Sequence, residues 1–166
     1  QYRDRIRAEV RGATEAEEYR ALAARPGARH ELPFLHLGPA GGRIEGKIDL
    51  AAPEGRGIVL LDVKTGGGGG LSPAERAARY APQRDIYLSA AEAISGLPVE
   101  RFAWQFSRDG VQVSEPVTEA LRGSASAAAA RTAEEIGRGT PALTSYPGEC
   151  RFCGYQQAGW CTGVAG

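Results

Sequence analysis

The chain has 166 residues, 42% of them hydrophobic, and its 20 basic and 20 acidic residues give a formal net charge of zero. This length and apolar fraction suffice for one domain with a buried core, and they exclude an intrinsically disordered chain. The balanced charge excludes a global attraction to nucleic acid but is compatible with a local basic groove. Because the sequence has neither an apolar run of membrane length nor a signal-peptide pattern, we expect a cytoplasmic protein without a membrane partner.

Helices and strands are predicted to alternate along the chain. In chain order they are helix 2–24, strands 30–37, 43–50 and 58–64, helix 74–95, strands 99–110 and 111–117, and helix 117–138. The first helix is expected to break near Gly12 with a cap at Thr14, and Pro33 indicates an edge or a bulge in the first strand. Ser72-Pro73 is a helix start signal, and Gly96 is a stop signal. This order predicts an α/β fold with a mixed central sheet flanked by helices, forming a core at 1–139 and a cysteine-rich tail at 140–166.

Two carboxylates and a lysine are predicted at the tips of two neighbouring strands. Side chains two apart on a strand share a face, so Asp62 and Lys64 point the same way. If the strand before them pairs as a hairpin, Asp49 converges on Asp62. Adjacent carboxylates resist ionising together, and a Mg²⁺ or Mn²⁺ ion relieves that penalty while activating water and polarising a phosphoryl oxygen. A surface ion pair is the alternative explanation of these three residues taken alone.

Four motifs in order resemble the RecB-like branch of the PD-(D/E)XK nuclease superfamily. They are ELPF (31–34), GKID (46–49), LLDVKTG (60–66) and YAPQRDIYLSAA (80–91). The resemblance implies a metal-dependent deoxyribonuclease, expected to act as an exonuclease in DNA repair and recombination. Its substrate would be single-stranded DNA or duplex ends. It would be a domain of a helicase–nuclease or a stand-alone exonuclease, with a helicase domain or a partner subunit as its partner.

The resemblance also implies roles for single residues. The metal ligands would be Asp49, Asp62, the backbone carbonyl of Val63, and Glu31. Lys64 would be the catalytic lysine. Gln83 and Tyr87 match a Q-x3-Y helix motif that supports the lysine and contacts DNA, and with Tyr80 they also fall on one helical stripe.

One motif of many family members is missing from this sequence. No GxxxH helix, whose histidine adds a metal ligand, precedes Glu31, and the two histidines are His30 and His36. His36 shares a strand face with Phe34 and is expected to be structural. Three explanations stay open: the histidine helix lies before residue 1, the site works without it, or the domain is degenerate. The last would leave a DNA-binding or scaffold module without catalysis.

The three cysteines lie close to the C-terminus. Cys150, Cys153 and Cys161 follow a C-x2-C-x7-C pattern, whose thiolates suit a metal better than a disulfide framework. The pattern resembles the three C-terminal ligands of a [4Fe–4S] cluster in AddB-type and CRISPR-associated nucleases, where a fourth cysteine precedes the first helix. A zinc site is the alternative, and a general α/β domain with a zinc ribbon-like tail is the remaining hypothesis.

Arginines and glycines flank the predicted site. Arg76, Arg79 and Arg84 suit either phosphate contacts or a solvated helix face. The glycine run 66–70 follows Lys64 directly and is expected to be a mobile loop.

Overall fold

A computed structural model describes residues 2–37, 43–66, 70–139, 150, 153–159 and 161. Its helices are α1 (Tyr2–Thr14), α2 (Glu17–Ala23), α3 (Pro73–Arg79), α4 (Ala81–Ser95), α5 (Glu119–Gly137) and α6 (Gly154–Gln157). Its strands are β1 (Arg29–Leu37), β2 (Arg43–Glu54), β3 (Gly57–Lys64), β4 (Val99–Phe106) and β5 (Val111–Pro116). Strand β4 is shorter than predicted because residues 107–110 form the turn that leads to β5.

The five strands form one sheet in the order β1-β2-β3-β4-β5. The pair β3–β4 is parallel, and the other three pairs are antiparallel. The parallel step is the one whose connection carries α3 and α4, since parallel neighbours need a crossover. The predicted mixed sheet is therefore confirmed, and Pro33 lies in an edge strand as expected.

Each face of the sheet is covered by helices. On one face, α3, α4 and α5 close over a cluster that includes Leu60, Leu88 and Phe102. On the other face, Leu22 of α2 packs with Leu50 and Leu61. Burial of these apolar side chains on both faces holds the layers together and fixes where the strand ends lie.

The N-terminal helix breaks later than predicted. Helix α1 continues through Gly12 to Thr14, and the Thr14 hydroxyl donates to the Val10 carbonyl at 2.9 Å instead of capping α2. A close contact requires glycine at position 12, because a Cβ there would lie 1.8 Å from the Ser107 carbonyl oxygen. The glycine lets α1 approach the sheet and does not end the helix.

The predicted helix 74–95 is two helices that meet at Tyr80. Pro82 lacks an N–H, and its ring crowds the carbonyl four residues earlier, so a continuous helix cannot pass it. The predicted ends are confirmed: Ser72 and Glu75 form a capping box, and Gly96 has a φ of 66°.

Most of the predicted tail 140–166 lies outside the described residues, and its status as a separate segment stays a prediction. Within the part of the chain that the structure describes, no helix is both long enough and apolar enough to cross a membrane.

Candidate active site

The site lies where both β1 and β2 depart from regular strand geometry. Along β2, Ile48 packs on the α4 side of the sheet and Leu50 on the α2 side, so the usual alternation breaks at Asp49. Opposite Asp49, Glu31 of β1 has a φ of 51°, a left-handed conformation that costs a non-glycine residue about 1 kcal/mol. Such strain is concentrated at functional sites, and here it turns Asp49 out of the regular face pattern.

Asp49 joins β2 to β3 by a side-chain contact. Its Oδ2 accepts a hydrogen bond from the Val63 backbone N–H at 2.7 Å. The strand register places Asp49 one step beyond the Leu50–Leu61 pair, level with Asp62. The predicted hairpin is confirmed, and the two carboxylates are near enough for Asp49 to raise the pKa of Asp62.

Asp62 is a buried carboxylate whose negative charge is only partly offset by neighbouring groups. It is 3% exposed, and burial is the main cause that raises the pKa of Asp62, with the Lys64 ammonium acting in the opposite direction. The Lys64 Nζ lies 2.6 Å from Asp62 Oδ2, yet the contact is poorly directed and leaves Oδ2 without a hydrogen bond of good geometry. A hard divalent cation, which prefers carboxylate oxygens, would compensate this oxygen, so Asp49 and Asp62 fit a metal.

Lys64 begins a chain of hydrogen bonds that runs into α4. Its ammonium donates to Gln83 Oε1 and lies 4.3 Å from the centroid of the Tyr80 ring. Gln83 Nε2 donates to the Tyr87 hydroxyl at 2.8 Å, and that hydroxyl donates to the Lys47 carbonyl at 2.8 Å. Gln83 and Tyr87 therefore hold the lysine, while the predicted catalytic roles of Asp49, Asp62, Lys64, Gln83 and Tyr87 stay predictions.

The Tyr87 ring is itself held by packing. Phe34 meets it edge-on, with the ring centroids 5.6 Å apart. A Cβ at Gly46 would lie 2.6 Å from the Phe34 ring, so only glycine leaves room for that ring. Burial raises the pKa of Tyr87 as the largest effect, so its hydroxyl stays protonated and can donate.

Two of the three predicted phosphate-contacting arginines are engaged inside the domain. Arg76, 6% exposed, pairs with Asp109 and stacks 3.9 Å from the centroid of Phe106. Arg84 pairs with Asp85 and Glu115, both at 2.6 Å. The expected solvated face is wrong for Arg76 and Arg84, because both side chains are largely buried and paired with acidic residues, and their contact with phosphates stays a prediction.

Glu31 is engaged by a neighbouring lysine. Its carboxylate pairs with Lys47, and among the residues that the structure describes no three His, Cys, Asp or Glu side chains converge tightly enough to hold an ion. This finding covers Cys150, Cys153 and Cys161, which are not joined in disulfides. The predicted roles of Glu31, of the Val63 carbonyl and of the three cysteines stay predictions.

An apolar cavity of about 470 Å³ opens beside Asp49, between α1 and the sheet. Sequence reasoning missed it, although its signal was present. Ile6, Val10 and Ala13 follow i, i+4, i+7 spacing, which forms one helical stripe.

The family model of the PD-(D/E)XK nuclease superfamily matches residues 1–161. The chain belongs to the PD-(D/E)XK nuclease superfamily. The predicted resemblance is thereby confirmed, and divalent metals such as Mg²⁺ are the general cofactors of these nucleases.

This PD-(D/E)XK chain is also similar to individual proteins. It is 34% identical over 128 residues to an ATP-dependent helicase/nuclease subunit from Pelotomaculum thermopropionicum, covering 63% of this chain and 10% of that protein. The chain thus spans about a tenth of the length of this relative.

Two solved structures share the fold of the PD-(D/E)XK chain. SSO0001 superposes with a TM-score of 0.59 at 18% identity, covering 89% of this chain and 66% of that one. A candidate exonuclease from Eubacterium rectale has a TM-score of 0.57 at 12% identity, covering 82% of this chain and 54% of that one.

Proposed function

We propose that this domain is a Mg²⁺- or Mn²⁺-dependent deoxyribonuclease that hydrolyses phosphodiester bonds. The observation that carries the proposal is Asp62, whose buried and undercompensated carboxylate lies beside both Asp49 and the ammonium of Lys64. The two carboxylates would hold the ion, with the Val63 carbonyl and Glu31 as further expected ligands. When bound, the ion supplies an activated water and a polarised phosphoryl oxygen.

Lys64 would stabilise charge on the scissile phosphate. An ammonium has three donors, of which one is directed at Gln83 and another faces Asp62. The third is available for a non-bridging phosphate oxygen or the attacking water. Because Gln83 and Tyr87 fix the amine before substrate arrives, little reorganisation is needed when negative charge develops.

Cleavage assays test this function directly. We expect the protein to cut labelled single- and double-stranded DNA with Mg²⁺ or Mn²⁺, and to stop with EDTA. Asp62→Ala and Lys64→Ala should lose cleavage, while the exposed control Glu134→Ala should keep it. A wild type that cuts nothing, or Asp62 and Lys64 variants that cut as well as wild type, would support a DNA-binding scaffold instead.

We further propose that the domain acts as an exonuclease in DNA repair or recombination, joined to a helicase domain or a helicase protein. Its similarity to a helicase/nuclease subunit supports this assignment. End-labelled and circular single-stranded DNA distinguish the modes, because an exonuclease degrades the linear strand and spares the circle. Cutting of the circle would contradict it.

For the tail we propose that Cys150, Cys153 and Cys161 bind a [4Fe–4S] cluster, with zinc as the alternative. The support is the C-x2-C-x7-C spacing. Broad visible absorbance together with iron and sulfide in the purified protein would favour the cluster. Stoichiometric zinc in a colourless protein would favour the alternative.

A further inference from the structure

We propose that the cavity beside Asp49 binds one unpaired nucleobase, so that the domain engages single-stranded DNA. The inference deepens the nuclease function proposed above and rests on it. It concerns the α1 side of the cavity, which carries none of the proposed metal ligands.

The cavity has apolar walls that face open space. Its lining includes Ile6, Val10, Ala13, Tyr19, His30 and Val63. Ile6 is 46% exposed and Val10 is 55% exposed, although they share one side of α1 with the buried Ala13. Its volume of about 470 Å³ lies within the range of pockets that take small organic groups.

The charges around the cavity favour a neutral group inside it. Glu9 at the rim is bound by Arg108 at 2.7 Å, and Glu31 is bound by Lys47. The described residues that line the cavity include no lysine or arginine for a phosphate, and the Asp49 carboxylate would repel one when no metal ion is bound. A flat, uncharged base matches these walls better than the DNA backbone does.

An aromatic pair forms one side of the cavity. The rings of Tyr19 and His30 have centroids 6.1 Å apart, and the Tyr19 hydroxyl lies 3.3 Å from His30 Nδ1. That contact holds both rings in place before any ligand arrives. Bases of unpaired strands stack on such rings with little regard for sequence.

The cavity is continuous with the β2–β3 hairpin that carries Asp49 and Asp62. Asp49 and Val63 line it, and the same two residues join β2 to β3 at the proposed metal position. A base in the cavity would belong to a nucleotide next to the scissile phosphate. A base in a duplex is paired and stacked, so it can enter only after it has been unpaired, and this predicts a preference for single strands.

Binding measurements test the inference without cleavage. The probes are a fluorescent 12-residue oligothymidine, an oligomer of equal length built of abasic nucleotides, and a blunt duplex, each measured by anisotropy in EDTA. Val10→Asn places an amide in the cavity. Ala8→Asn adds the same residue to an exposed position of α1 outside the lining. Its helix-propensity cost is larger than that of Val10→Asn, because alanine is the best helix former while valine and asparagine are similar, so it is a stringent control for helix destabilisation.

We expect Val10→Asn and Tyr19→Leu to weaken oligothymidine binding about 5- to 100-fold, the range for losing one stacked base. Ala8→Asn should bind like wild type, and all four proteins should bind the abasic oligomer and the duplex equally. Equal oligothymidine affinity in wild type and Val10→Asn would overturn the inference.

The two proposals can fail separately. If wild type cuts DNA with Mg²⁺ but Val10→Asn binds oligothymidine as wild type does, the nuclease function stands and the base site is wrong. If wild type cuts nothing while Val10→Asn still loses base-dependent binding, the base site stands as part of a DNA-binding module.

Discussion

Tyr87→Phe would break the hydrogen-bond chain that positions Lys64. The substitution keeps the ring, which is 8% exposed and packs against Phe34, and removes only the hydroxyl. Two hydrogen bonds of 2.8 Å are lost, one from Gln83 and one to the Lys47 carbonyl. At about 0.5–1.5 kcal/mol for each bond, the free energy of unfolding should fall by about 1–3 kcal/mol.

Catalysis should fall in addition to stability. Without its acceptor on Tyr87, the Gln83 amide can rotate, and Lys64 loses its fixed partner. We expect kcat to decrease about 10- to 100-fold, the usual cost of losing a supporting hydrogen bond behind a catalytic group, with little change in KM. Urea denaturation followed by circular dichroism gives the stability, and steady-state cleavage of labelled DNA gives kcat.

Two controls separate positioning from stability. Ser95→Ala removes a hydrogen bond of 2.6 Å to the Ala91 carbonyl at the far end of α4, so it should lose stability and keep kcat. Tyr80→Phe keeps the ring against which Lys64 packs and should also keep kcat. A Tyr87→Phe protein that is destabilised but cleaves at the wild-type rate would refute the positioning role.

The remaining predictions concern packing, pH and metal. Gly12→Ala should destabilise the protein by about 1–3 kcal/mol in thermal unfolding, because its Cβ would meet a backbone carbonyl at 1.8 Å, whereas Gly123→Ala in open space should be neutral or stabilising. Arg101 lowers the pKa of Glu54 below its ordinary 4.5, so the ionised Glu54 stabilises the fold above pH 4.5, and this stabilisation disappears as the pH falls through the folded-state pKa. Glu54→Gln should flatten the acid side of a curve of unfolding free energy against pH. An unchanged acid side would contradict the prediction. Saturating Mg²⁺ at about 100 times its Kd should stabilise wild type by about 2.7 kcal/mol and Asp62→Asn far less, measured as a Tm increase, and equal increases would argue against Asp62 as a ligand.

Much of the fold and of the β2–β3 hairpin could be predicted because the sequence patterns that specify them are local. Asp62 and Lys64 share a face by strand alternation alone, and Gln83 and Tyr87 share a side of a helix by their spacing. Capping residues likewise predicted where α3 begins and α4 ends. These properties depend on a few neighbouring residues.

The features that the sequence did not predict depend on contacts between residues far apart in the chain. The break in alternation at Asp49 lies opposite the left-handed Glu31 on another strand, whereas alternation alone predicts a regular strand there. The fate of Arg76 is decided by Asp109 and Phe106, which follow it by about thirty positions. Gly12 resembled a helix break because its contact with Ser107 is not visible in the local pattern.

The contacts around Lys64 form a closed ring that begins and ends on β2. From Asp49 the ring passes to the Val63 N–H on β3, through Lys64 and Gln83 to α4, and back through Tyr87 to the Lys47 carbonyl. One strand therefore serves as the common reference for both the carboxylate and the ammonium. A shift of α4 or β3 as a whole strains the ring at two points at once, which favours small joint displacements over a separation of acid from amine. Substitutions far from the ring should therefore change how stable the domain is more readily than how well it cleaves.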